Sequence, residues 1–121
     1  MKLQVDNKIF FAEVESLLAE GKNVTVRVRG CSMMPHLRDG KHSVVVRRCE
    51  AEDIKLGAVM FFEYRGQWIM HRLRRIEGDR LIFAGDGNYK LVEIVGRDAL
   101  RGVVTDIISP SGYKFSCESF L

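Results

Sequence analysis

A mainly β fold with one N-terminal helix is what this sequence predicts, on three observations. Apolar residues fall at helical spacing only once, within Asp6–Glu20. After Gly21 the chain reads as short β-branched or alternating runs separated by glycine-bearing turns. No helical pattern recurs between those runs, so everything after the helix reads as strand and turn.

Each element has a local reason. In Asp6–Glu20, Phe10, Val14, Leu17 and Leu18 make one apolar stripe, Asp6 or Asn7 can cap the start, and Gly21 can end it. Asn23–Arg29 alternates Val24, Val26 and Val28 with Thr25, Arg27 and Arg29, a strand with one buried face. It runs into Gly30-Cys31-Ser32-Met33-Met34-Pro35, and Arg38-Asp39-Gly40 then reverses the chain. Ser43–Arg48 is a short second strand, followed by the charged link Cys49–Lys55. Ala58–Tyr64 and Gln67–Ile76 form a hairpin joined by Arg65-Gly66, whose glycine tolerates positive φ. Glu77-Gly78-Asp79 turns the chain into Arg80–Ala84, which leads to Gly85-Asp86-Gly87-Asn88. Arg101–Ile108 is a late apolar strand, and a tail strand at Tyr113–Cys117 follows Ser109-Pro110-Ser111-Gly112. No element is assigned to 89–100.

Composition narrows the function classes. A length of 121 residues with 46% hydrophobic content suits one domain, organised as a helix over 1–22 packed on a β domain over 23–121. The net charge is +3, yet Lys and Arg are scattered among Asp and Glu, so no nucleic-acid surface is indicated. Arg72, Arg74 and Arg75 read as a solvated strand face, Arg72 and Arg74 on one side and Arg75 on the other with His71. Cys31, Cys49 and Cys117 are odd in number with no Cys-x-x-Cys pair, which predicts free thiols in a reducing, cytoplasmic setting. The longest apolar runs, such as Ala58–Phe62, fall far short of the ~18 residues of a membrane span, so a soluble chain is expected. No motif points to a metal or an organic cofactor.

The chemistry-bearing residues come in a fixed order. Ser32 follows a strand on a sharp turn, His71 arrives in Ile69-Met70-His71-Arg72, and Asp86 follows in the turn Gly85-Asp86-Gly87-Asn88. A hydroxyl, an imidazole and a carboxylate are the set that acyl transfer needs.

Those residues also carry a family resemblance. Gly30-x-Ser32-Met33-x-Pro35, Gly57-x-Val59-x-Phe61, His71-Arg72, Gly85-Asp86-x-Asn88 and Leu100-x-Gly102-x-Val104 resemble, in that order, the signal peptidase I and LexA-like superfamily of serine peptidases, the S24 and S26 families. The likeness covers about Thr25 to Ile108. Bacterial signal peptidases and LexA-like proteins use a lysine base; His71 makes this chain most similar to the archaeal and endoplasmic-reticulum branch. The resemblance implies a LexA/signal-peptidase-like β fold and an extended peptide or protein substrate with small side chains at the scissile bond. It implies Ser32 as nucleophile, His71 as base and Asp86 as the group that orients the imidazole. Gly30, Met33 and Pro35 would support the nucleophile turn, and Gly85 and Asn88 the acid turn. The branch also tends to place a second acid beyond its Gly-Asp-x-Asn motif, and Glu93 is the candidate. The chain departs from the family at Gly40, which Lys41 follows in place of an aspartate. A peptide-binding module of the same fold that does not cut is the alternative.

Overall fold

A computed structural model describes residues 7–28, 33 and 37–117. Helix α1 (Asn7–Ala19) precedes eight strands: β1 (Val24–Arg27), β2 (Ser43–Arg47), β3 (Val59–Tyr64), β4 (Gln67–Glu77), β5 (Arg80–Gly85), β6 (Asn88–Val95), β7 (Leu100–Ile108) and β8 (Lys114–Ser116). Single 3-10 turns occur at Ala51–Asp53 and Arg97–Ala99. The strands form one antiparallel sheet in the order β1-β2-β7-β3-β4-β5-β6, with β8 also on β7. This is the mainly β fold with one N-terminal helix that the sequence predicts.

Local chemistry explains the joints. Gly21 sits at φ +83°, and the Gly21 and Lys22 amides donate to the carbonyls of Leu18 and Leu17, closing α1 in the way a left-handed glycine allows. Arg65 and Gly66 both have positive φ, the backbone of the tight turn that fits strand twist.

Strand β7 is the spine of the sheet. β2 runs along one of its edges, while β3 and then β8 share the other. Two register shifts bend it: Thr105 is the extra residue against β2, and Arg101 the extra residue against β3. The bending leaves apolar side chains on both faces of the sheet. Val14 and Leu18 of α1 pack with Val26, Val28, Met33, Leu37, Val44, Val46, Phe61 and Val104 on one face. Met60, Phe62, Leu73, Leu81, Phe83 and Val103 fill the other. Gly102 lies under α1: a Cβ there would stand 3.2 Å from Leu18 Cδ1 and 2.6 Å from Val46 Cγ1. The Leu100-x-Gly102-x-Val104 pattern thus reflects packing.

Strand β6 is the element that the sequence pattern does not predict. Its apolar residues come in adjacent pairs, Leu91-Val92 and Ile94-Val95, split by Lys90 and Glu93, so no period of two is visible. Tyr89, Leu91, Val92 and Ile94 are all exposed. β6 pairs only with β5 among the described residues, and its ladder shifts register between Ala84 and Gly85, leaving 89–91 without partners.

Candidate functional site

His71 lies in β4 opposite Met60, on the same sheet face as Phe62 and Leu73. The ladder pairs Arg72 with Ala84, so the next position sets His71 beside Gly85 on β5, and Phe83 stands beside Glu93 on β6. His71 and Glu93 therefore reach toward each other over an intervening strand, at a step where Gly85 contributes no side chain. Their contact is short, with Nδ1 2.7 Å from Glu93 Oε1, and each side chain is only 12% exposed. The Phe62 ring lies 6.3 Å away, centroid to centroid, and keeps this side apolar.

An ionised carboxylate can only accept, so Nδ1 is the donor in this contact. In a neutral imidazole held this way the lone pair lies on Nε2, which can accept a proton.

The resemblance implies Asp86 as the carboxylate beside the imidazole; in the structure the carboxylate on His71 Nδ1 is that of Glu93. Asp86 is occupied one residue along, on the opposite face. Arg72 Nε donates to its Oδ1 at 2.9 Å and Nη2 to its Oδ2 at 2.8 Å, a bidentate pair in which both side chains are only 6% exposed. The third arm of Arg72, Nη1, donates to the Gly57 carbonyl at 2.9 Å, and Arg74 Nη2 adds a bond to Asp86 Oδ1 at 2.7 Å. Asp86 thus keeps the Arg72 guanidinium protonated even though burial works against its charge. Gly57, Arg72 and Asp86, separate pieces of the sequence pattern, meet in one clamp that ties the start of β3 to β4 and to the turn after β5.

The clamp also corrects the reading of the arginines as a solvated face. Arg72 is buried, and the register shift between Leu73 and Arg75 places Arg75 opposite Ile82, hence on the Arg72 side rather than with His71. Strict alternation along a strand fails wherever a bulge inserts a residue.

The other expected site residues divide into two groups. Met33 is buried, 2% exposed, in the core beside Val28 and Leu37, and the Leu37 amide donates to its carbonyl at 3.0 Å. Gly85 is buried and pairs with Asn88, whose Oδ1 accepts from the Lys90 amide at 3.3 Å. Gly30, Ser32 and Pro35 lie outside the described residues. Among the described residues, no group of three His, Cys, Asp or Glu side chains could hold a metal ion, and no helix is long and apolar enough to cross a membrane.

The structure is thus an antiparallel sheet capped by one helix, with a histidine–carboxylate pair on one face and a buried arginine–aspartate clamp on the other. The sequence matches the Peptidase S24-like family over residues 2–104, and the chain belongs to that family. Comparison with curated proteins gives no match.

Proposed function

We propose that this chain is a serine endopeptidase of the Ser-His kind, cutting an extended peptide after a small residue. Ser32 Oγ attacks the peptide carbonyl while His71 Nε2 takes its proton; the proton passes to the amine as the tetrahedral intermediate expels it. Water, activated by the same nitrogen, then releases the acyl group. The Ser32 amide is the oxyanion donor in this scheme. Glu93 holds the imidazole in its Nδ1–H form and offsets the charge it acquires, while Asp86 shapes the site through Arg72 and Gly57. The single observation that carries the reading is the 2.7 Å contact between His71 and Glu93. Membership of the S24-like family supports it, and a histidine with a carboxylate on Nδ1 favours the branch that uses histidine in place of lysine as base.

The test is digestion of a library of Ala- and Gly-containing peptides by the protein and by its Ser32→Ala variant, read by mass spectrometry. The reading expects fragments from the first and none from the second. Equal or absent cleavage in both would leave a peptide-binding module that does not cut.

A further inference from the structure

On the face of the sheet opposite the histidine pair, β4, β5 and β6 form a cleft of about 370 Å³ lined by Arg74, Arg75, Ile82, Tyr89 and Val92. Ile82, only 3% exposed, is its floor. Tyr89 and Val92, 69% and 45% exposed, form one wall, and two guanidiniums form the other. Such a volume accommodates a few side chains of an extended segment.

The two guanidiniums of this wall are only loosely engaged. Arg72 and Arg74 share the single carboxylate of Asp86, and Arg75 has Glu77 at 3.4 Å in an exposed pair. Arg74 and Arg75 line the cleft, and the carboxylate that Arg74 uses is already held by the buried Arg72. The Arg75 side chain is 67% exposed, and exposed pairs of that kind are weak enough for a better partner to displace them. The ladder adds a second constraint. Residues 89–91 leave the β5 register, so Tyr89 projects to the cleft while the regular pairs of β6 resume at Val92. A bulged edge of this kind resists strand addition.

We infer that this cleft binds an extended peptide segment in which a carboxylate side chain neighbours apolar ones, the carboxylate meeting Arg75 and the apolar side chains lying against Ile82, Tyr89 and Val92. A guanidinium presents paired donors that match a carboxylate, and the apolar wall beside it selects against a fully solvated acidic tail. The site stands apart from the histidine pair, so binding here does not require that the protein cut anything.

Fluorescence anisotropy tests it with a fluorescein-labelled decapeptide that alternates Leu and Glu, the full-length protein, and the Ser32→Ala variant to preclude cleavage. Saturable binding is expected, at least ten-fold tighter than for the same peptide with Gln at each Glu and weakened by added salt. Arg75→Glu is expected to lose at least ten-fold and to gain affinity for the matching Leu-Lys peptide. Tyr89→Ser is expected to weaken the Leu-Glu peptide without changing its ionic-strength dependence. Equal affinity for the Glu and Gln peptides, indifference to Arg75→Glu, or no saturation at millimolar peptide would overturn the inference. So would a cleft occupied by other means: Arg75-dependent self-association in sedimentation, or Arg75-dependent binding to phosphatidylserine vesicles in place of the peptide. Loss of library cleavage with intact anisotropy would count against the proposed function alone.

Discussion

Replacing Asp86 by Asn separates a structural clamp from a catalytic carboxylate, and its cost can be worked from the contacts. The amide keeps an acceptor for Arg72 Nε and Arg74 Nη2 at the Oδ1 position, but at the Oδ2 position it turns a donor toward Arg72 Nη2. One charge-assisted bond is lost, and a buried donor is left facing another, about 1–3 kcal/mol by itself. The carboxylate charge that offsets a guanidinium with a 6% exposed side chain goes as well. Breaking one side of a buried pair typically costs about 3–5 kcal/mol. Arg74 adds little, since its side chain is 40% exposed. The expected loss is about 3 kcal/mol, which for a domain of this size lowers Tm by roughly 10–15 °C. Urea unfolding followed by tryptophan fluorescence and circular dichroism measures it. Arg72→Met combined with Asp86→Leu should recover at least half of the loss, because an apolar pair leaves no buried charge. A loss below about 1 kcal/mol for Asp86→Asn would refute the clamp as a stabilising element.

Three further outcomes follow from other contacts. Gly102→Ala should destabilise by about 1–3 kcal/mol in the same urea assay, since the new methyl meets Val46, Leu18 and the Arg47 carbonyl together; an unchanged midpoint would contradict the packing of α1 on β7. Asp53 carries an acid-sensitive part of the stability: two 2.7 Å bonds from Arg47, against the opposing effect of burial, hold its carboxyl below the unfolded value of 3.8. The unfolded chain therefore takes up the proton first, so this contribution is complete above that value and is lost as the pH falls through the folded one. Between pH 5 and 2.5 the urea midpoint of the wild type should fall more steeply than that of Asp53→Asn, and parallel curves would contradict it. Burial, with the Asp53 charge behind it, pushes the Cys49 thiol up to about 11. At pH 8 its alkylation by iodoacetamide should be on the order of 100-fold slower in the folded protein than in urea, read by peptide mass spectrometry.

Much of the fold was legible because its signals are local. The apolar stripe of α1, the Val24–Val28 alternation and the Arg65-Gly66 turn each specify their element without help from the rest of the chain. β6 was not legible, since a strand exposed on both faces and bulged at 89–91 has no burial periodicity to leave in its sequence. The same blind spot hid the partner of His71. Glu93 lies 22 residues from the histidine and two strands away, so only the family resemblance, not the residue pattern, brought it into view. Asp86 attracted the orienting role because it is the acid of the Gly-Asp turn. What the sequence pattern could not display is that its neighbour across the sheet is Arg72, and that a bulge before Arg75 changes which arginines share a face.

The central claim is that Glu93, through His71, prepares Ser32 for attack, and kcat/KM of the Glu93→Gln variant tests it most directly. With a peptide that the wild type cleaves, at a temperature where urea unfolding finds both proteins folded, the account predicts a fall of about 10³–10⁴-fold, toward the level of Ser32→Ala, because the amide no longer enforces the Nδ1–H tautomer. Retention of activity within ten-fold of the wild type would contradict it.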